Sequence, residues 1–294
     1  KSFVTQTLTT CHSFGNQITI TRTRPPYINK EQQRMRSNNT DEAWELFGKL
    51  DPYFGVIADP KFHISNLSEF AREDFFDSGS TYVSKLAETI RGRVKSNFHP
   101  QRSLDFGCGV GRILLPLANL STEVVGIDVS KAMLTEASIN IKKSNKNNVK
   151  LLLSDDNLSS LDGSFDFIHS YIVFQHIDPT RGEKMLNQLL HLLSPEGVAA
   201  LHFTYGSLGA RLKIVSFMQR RVPFARNMFN ILRGRKWSYP CMEMHSYSLP
   251  RLIDIFSSNG VNCFYAEATN HGNYVGLQFF LYKDGQSAHP NSSK

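Results

Sequence analysis

Cysteine is scarce in this chain, and its four copies, Cys11, Cys108, Cys241 and Cys263, stand far apart. No Cys-x-x-Cys pair occurs, which excludes a zinc ribbon and a disulfide framework and fits the reduced thiols of a cytoplasmic protein. Cys241 and His245 share a helical spacing, but two potential ligands without partners do not make a metal site. No apolar run approaches the roughly 18 residues that a membrane-spanning helix needs. The first residues lack the charged, apolar and small-residue layout of a signal peptide. Acid is missing from one long stretch. Between Tyr205 and Pro240 stand Arg211, Lys213, Arg220, Arg221, Arg226, Arg233, Arg235 and Lys236 with no Asp or Glu. These bases exceed the whole net charge of +7, so the remainder is close to neutral and the basicity belongs to one element.

What is present is ordered. Residues 1–40 are polar and read as an N-terminal arm and linker. From Asp41 the apolar residues Trp44, Phe47 and Leu50 fall at helical spacing, and Phe70, Phe75, Val83, Leu86 and Ile90 continue it, so 41–99 reads as an N-terminal helical region. From residue 100 the pattern alternates. Ser103–Phe106, Glu123–Ile127, Lys150–Leu153, Phe165–Ser170 and Val198–Phe203 read as strands, with helices at Arg112–Leu120, Lys131–Ser144 and Arg181–Leu193 between them. Such alternation predicts βαβ units and a parallel sheet covered on both faces, a core spanning 100–204. The basic stretch, 205–247, reads as a lid insert. The core resumes over 248–283 with a helix at Leu249–Asn259, then strands at Val261–Ala266 and Val275–Tyr282 joined by the Thr269–Asn273 loop as an antiparallel hairpin. Residues 284–294 read as a disordered tail.

One motif carries chemistry. In "LDFGCGVGR" a strand runs into glycines at 107, 109 and 111 and then a helix, and a second strand ends at Asp128. A carboxylate there suits the hydroxyl pair of a ribose, so an adenosine-containing ligand is expected. Pyrophosphate cofactors call for Gly-x-Gly-x-x-Gly ahead of a helix N-terminus. Here the glycines alternate and Asp105 precedes them, a carboxylate that repels pyrophosphate and suits an ammonium. The spacing favours S-adenosyl-L-methionine over a nicotinamide dinucleotide.

These segments, with "VVGIDVS", "LLLSDDNLSSL", "SFDFIHSYIVFQHI" and "LLSPEGVAALHF" following in order, resemble the class I S-adenosylmethionine-dependent methyltransferases, small-molecule branch. The likeness covers roughly Tyr82 to Phe203, and the closing hairpin more loosely. It implies an α/β fold: a Rossmann-like, doubly wound, seven-stranded and mostly parallel sheet with a reversed C-terminal hairpin, accompanied here by the N-terminal helices and the lid insert. Carried over by position, Gly107, Cys108, Gly109 and Gly111 pass the methionine part of the cofactor with Asp105 nearby. Asp128 holds the ribose, and Val129 and Met133 lie against adenine. Either Asp155 or Asp156 accepts the adenine amino group beside Asn157 and Leu158, and Ser170 and Tyr171 border the sulfonium.

Methyl transfer to a hydroxyl needs a positioned base. The candidates are His169, His176, Asp178, Glu243 and His245. His169 reads as a buried structural histidine. His176, beyond the fourth strand's carboxyl end, and His245, after the insert, are the two expected catalytic residues. Metal is not expected, because the acids of "SDD" are needed at adenine. The Asn/Asp-Pro-Pro-Tyr pattern of base- and amide-methylating enzymes is absent, which argues against nucleic acid. The expected acceptor is a small metabolite, sugar or natural-product intermediate, O-methylated, with an anionic or carrier-linked form suited to the basic segment. That segment reads first as a lid or a homodimer helix with a solvated basic face, then as the site of such an acceptor, and last as a nucleic-acid or acidic-membrane surface. The competing expectations are N-methylation, a macromolecular acceptor, or a catalytically silent cofactor-binding module.

Overall fold

The computed structural model describes residues 30–207 and 242–283. The arm before residue 30, nearly all of the basic insert and the tail after 283 lie outside the described residues. Helices α1 (Lys30–Leu50), α2 (Pro52–Val56) and α3 (Glu69–Arg93) precede the sheet. Ser68 starts α3 by accepting the Ala71 amide hydrogen at 3.1 Å, an N-cap that satisfies one orphan donor. Helix α1 begins at Lys30, where the sequence reads as linker until Asp41. Its first ten residues hold a single apolar side chain, Met35, so no helical periodicity marks them.

Seven strands follow: β1 (Arg102–Phe106), β2 (Glu123–Asp128), β3 (Val149–Leu153), β4 (Phe165–Ser170), β5 (Leu193–Ser207), β6 (Cys263–His271) and β7 (Tyr274–Tyr282). Between them lie α4 (Leu114–Leu120), α5 (Lys131–Lys143), α6 (Pro179–Leu192) and α7 (Leu249–Ser258). The strand order is β3-β2-β1-β4-β5-β7-β6. Strands β1 to β5 pair in parallel, and β7 runs antiparallel to both β5 and β6. This is the mostly parallel sheet with a reversed last hairpin that the sequence predicts. Its central strands are buried on both sides. Leu104, Ile127, Ile168 and Leu201 pack with α6 and α7 residues on one face. Val124, Phe167, Ala200 and Phe280 pack with α3 and α4 residues on the other.

The hairpin is longer than its apolar runs suggest. Strand β6 continues through Thr269, Asn270 and His271, pairing from Cys263↔Tyr282 to His271↔Tyr274, and Gly272–Asn273 alone make the turn. Gly272 has φ +65°, a conformation glycine adopts without strain. Beyond the insert, residues 242–248 cross the carboxyl rim of the sheet. The His245 amide donates to the Gln175 carbonyl at 2.7 Å and the Tyr247 amide to the Thr204 carbonyl at 2.8 Å. The Tyr247 hydroxyl donates to the Ile177 carbonyl at 3.0 Å. Gly182 makes room for that ring, since a Cβ there would lie 1.9 Å from the Tyr247 oxygen.

Candidate functional site

The strand order reverses between β1 and β4, and open α/β sheets place ligands at the carboxyl ends of strands at such a point. A cleft of about 1050 Å³, counted to its open mouth, occupies that place. The turn after β1 forms its floor. Gly107, Gly109 and Gly111 have φ of +75°, +53° and +91°, so side chains there would be strained. At Gly107 a Cβ would also meet Val173 at 2.5 Å. The Gly107 and Cys108 amides both donate to the Ile127 carbonyl, at 2.8 and 3.0 Å, which staples the turn to β2.

Asp128 ends β2. Its two carboxylate oxygens accept the amide hydrogens of Gly109 and Ser130, each at 2.9 Å. These bonds fix the carboxylate and leave further lone pairs facing the cleft. Burial pushes its pKa up to about 6, with Asp105 and Asp41 adding to the rise against the two amides. Asp105, at the centre of the sheet, is 3% exposed. Its Oδ1 accepts from His169 Nδ1 at 2.8 Å, a contact set by the β1–β4 register that pairs these two residues. The same imidazole then presents Nε2 to the Tyr82 hydroxyl at 3.1 Å. The tautomer follows from these partners. Asp105 Oδ2 is buried with no hydrogen-bond partner among the described residues, and its residue lines the cleft. An orphaned carboxylate oxygen in such a place calls for a cation.

Of the predicted ligand residues, Asp105, Gly107, Cys108, Gly109, Asp128, Val129, Met133 and Tyr171 border the cleft. Gly111 shapes the turn from behind. The acids after β3 take other work. Asp155 accepts the amide hydrogens of Asn157 and Ser159 and the Ser159 hydroxyl, closing its own exposed turn. Asp156 is ion-paired with Arg181, whose Nε lies 2.7 Å from its Oδ1. Asn157 is exposed and Leu158 is buried in the core. Neither Asp155 nor Asp156 lines the cleft; Ser154, at the end of β3, does, and its hydroxyl is buried without a partner. Ser170 donates its hydroxyl to the Phe106 carbonyl at 3.1 Å and tightens β4 against β1.

The two expected bases fare differently. His176 lines the cleft beside Trp44, the rings 5.0 Å apart and nearly edge-on. Its Nδ1 donates to the Glu243 carbonyl at 2.8 Å, and its Nε2 lies 3.2 Å from the Gln175 amide nitrogen. Burial pulls its pKa down to about 4. A neutral imidazole with both nitrogens engaged is a wall, and a weak base. His245 does not border the cleft; its Nε2 lies 3.4 Å from a Glu243 carboxylate oxygen. Asp178 caps α6 by accepting from the Thr180 amide at 3.0 Å.

Residues the sequence did not single out complete the site. Helix α1 lies over the cleft and contributes Thr40, Asp41 and Trp44. Glu45 anchors α1 at the N-terminus of α5, accepting from the Ser130 hydroxyl at 2.9 Å and the Ala132 amide at 3.1 Å, where the helix dipole favours a negative charge. Arg181 of α6 holds the other side, donating to both Asp41 oxygens at 2.7 and 2.8 Å while it also binds Asp156. Arg112 follows the glycine turn directly and faces the same cleft. That position was the available signal for Arg112; Arg181 and Trp44 had none, because their partners are distant in sequence.

Known proteins resemble this arrangement. A family model described as a methyltransferase domain matches residues 104–197. An uncharacterized methyltransferase of Synechocystis is 31% identical over 130 residues, 40% of this chain and 59% of that protein. A ubiquinone biosynthesis O-methyltransferase of Bartonella tribocorum is 26% identical over 129 residues, 43% of this chain and 51% of that protein. Other curated relatives bear RNA methyltransferase names. The chain thus spans little more than half the length of these relatives, or less. In fold it is similar to the magnesium protoporphyrin IX methyltransferase of Synechocystis solved with bound S-adenosylhomocysteine. The TM-score is 0.57 and the identity 16%, over 83% of this chain and 99% of that one. Over residues 104–197 the chain is thus similar to methyltransferase domains, and its sheet has the fold of a methyltransferase that binds S-adenosylhomocysteine.

Proposed function

We propose that the protein transfers a methyl group from S-adenosyl-L-methionine to a hydroxyl of a small-molecule acceptor. The observation that carries the reading is the pair of carboxylates at the two sides of the glycine turn. Asp128 is aligned by two amides for the ribose hydroxyls, and Asp105, which borders the cleft, keeps one buried carboxylate oxygen unpartnered, suited to an ammonium. Met133 and Val129 supply apolar contact, and Ser154 takes the place at the adenine end that sequence gave to the following acids. When bound, the cofactor supplies an electrophilic methyl group on a sulfonium.

The chain's part is orientation, exclusion of water and removal of one proton. His169 is better wired for the proton than His176. Asp105 orients its ring through Nδ1, and Nε2 receives the Tyr82 hydroxyl, an arrangement with the logic of a base held by a carboxylate. Of the pair, His169 borders the cleft and Tyr82 does not, so the acceptor's proton is taken at His169 Nε2. The O-methyltransferase name among the relatives supports oxygen as the acceptor atom. An anionic or carrier-linked acceptor drawn by the basic segment is part of this reading, although that segment lies outside the described residues.

Calorimetry with S-adenosylmethionine, S-adenosylhomocysteine and NAD tests the cofactor. Binding of the first two and not of NAD is expected, and Asp128→Ala weakens it by about 1.5–3 kcal/mol, the range for hydrogen bonds to a charged group. Tight NAD binding sinks the reading. Labelled cofactor in a cell extract, followed by mass spectrometry, identifies the molecule that gains one methylene equivalent.

A further inference from the structure

The Tyr82 hydroxyl has one proton and two acceptors within reach. His169 Nε2 lies 3.1 Å from its oxygen, and Gln278 Oε1 lies 3.4 Å from it. Because His169 Nδ1 donates to Asp105 at 2.8 Å, Nε2 carries the ring's lone pair and competes with Gln278 for the Tyr82 proton. The shorter contact is the resting one, with Tyr82 donating to Nε2. At rest, then, the nitrogen that takes the acceptor's proton has its lone pair engaged. Helix α3 and strands β4 and β7 bring the groups together. The Tyr82 ring lies 5.6 Å from the imidazole and 4.5 Å from Tyr171. Gln278 is 4% exposed and stands opposite His202 of β5 and Glu267 of β6. Its amide nitrogen has no hydrogen-bond partner among the described residues. Burial holds the Tyr82 hydroxyl well above its ordinary pKa, with Tyr171, Asp105 and Glu267 adding to the rise and Arg112 opposing it. Tyr82 therefore stays a donor and is not itself the base.

We propose that Tyr82 and Gln278 are positioning residues that gate His169: the Tyr82 proton rests on Nε2 and turns to Gln278 Oε1 when an acceptor hydroxyl arrives. The turn frees the lone pair of Nε2. The acceptor's O–H bond then breaks, its proton forms the new Nε2–H bond, and the electron pair stays on the acceptor oxygen for the methyl group. The Tyr82 proton changes only its hydrogen-bond partner. Afterwards the imidazolium is held at both ends, by Asp105 at Nδ1 and by the Tyr82 oxygen at Nε2. A hydroxyl suits this task because the same atom donates in one state and accepts in the other. The inference rests on reading His169 as the base of methyl transfer.

The test follows the ring nitrogens of isotope-labelled histidine by NMR in the full chain, in Tyr82→Phe and in Gln278→Met, with His169→Gln identifying the His169 signals. Both test variants keep the bulk of the side chain, and a thermal melt checks that each folds. In the neutral imidazole, Tyr82→Phe is expected to move the Nε2 signal to that of a nitrogen without a donor, while Gln278→Met leaves it in place. On titration, His169 of Gln278→Met is expected to take up its proton about one pH unit lower, a tenfold loss of proton affinity, because the imidazolium has lost part of its support. The reverse pattern, an Nε2 signal that moves in Gln278→Met and stays in Tyr82→Phe, places the resting proton on Gln278 and overturns the gate. An unchanged titration in Gln278→Met overturns it too. A second arm measures methyl transfer from labelled S-adenosylmethionine to the small-molecule fraction of a cell extract across pH. The acid limb of the rate is expected to move down in Gln278→Met by the same interval as the titration. A Gln278 that only supports the fold lowers the rate without moving the limb. Equal transfer by wild type and His169→Gln sinks the base and the gate with it, whereas a wild type that needs His169 but shows the reversed signals loses the gate alone.

Discussion

Asp128 shows how one carboxyl group ties ligand binding to pH. Its folded pKa of about 6 stands above the ordinary aspartate value of 3.8. Without ligand, proton binding therefore favours the fold: the contribution is full below about 3.8 and is lost as pH rises through 6. Ligand hydroxyls ask for the opposite state, because they donate to the carboxylate. Affinity for S-adenosylhomocysteine is then expected to climb as pH rises through 6 and level off above it. Below 6 each pH unit costs about tenfold, the equivalent of one pKa unit. Calorimetry from pH 5 to 8 measures this, with Asp128→Asn as the flat control. An equally steep profile in the variant assigns the titration to another group.

At the scale of elements, the cleft depends on how α1 is fastened. Glu45 pins one side to α5, and Arg181 joins α1 to α6 and to the loop after β3. Arg181→Met leaves Asp41 and Asp156 without their shared cation. Both acids are partly exposed, 33% and 56% by side chain, so the stability loss is set at about 1–2 kcal/mol, below that of a fully buried pair. The local effect is expected to be larger. Hydrogen exchange should quicken along residues 41–50 and cofactor affinity should fall, while exchange in β1 and β4 stays slow. Uniform loss of protection across the sheet would show that Arg181 supports the whole fold.

Elements with their own apolar period were legible. The strand runs at 123–127 and 165–170, the helix at 131–144 and the antiparallel hairpin need only local alternation and flanking glycines to be seen, whereas the hairpin's reversed place in the sheet came from the resemblance. What pairing adds was not. Strand β5 starts at Leu193, ahead of Val198, because Leu193 meets Phe165 and Glu196 meets Lys283 across the sheet. The polar tip at 269–271 is strand because β7 lies beside it. In the site, motif residues such as Asp105 and Asp128 could be chosen from sequence because their positions on the strands are fixed. Side-chain direction could not, so Asp155 and Asp156 were expected at the cleft, which Ser154 lines instead. His169 reads as structural, and its pairing with Asp105, set by the register of β1 and β4, is not visible in sequence.

On the scale of the whole molecule, the chain leaves the sheet at Ser207 and is back on its rim by Tyr247, whose amide is bonded to the Thr204 carbonyl. The points where the described chain leaves and rejoins the sheet are neighbours, so the sequence between them can be exchanged as a cassette. Loop-closure entropy changes by only about 0.6 kcal/mol for each doubling of length, so the sheet is nearly indifferent to how much chain is inserted there. Replacing residues 208–241 by a short glycine–serine linker should leave the melting temperature and S-adenosylhomocysteine affinity close to those of the full chain, by scanning calorimetry and titration. A large loss of either would mean that the cassette helps to build the cleft. If both hold, donor binding and acceptor choice are separable parts, and acceptor range can be altered by trading cassettes on an unchanged sheet.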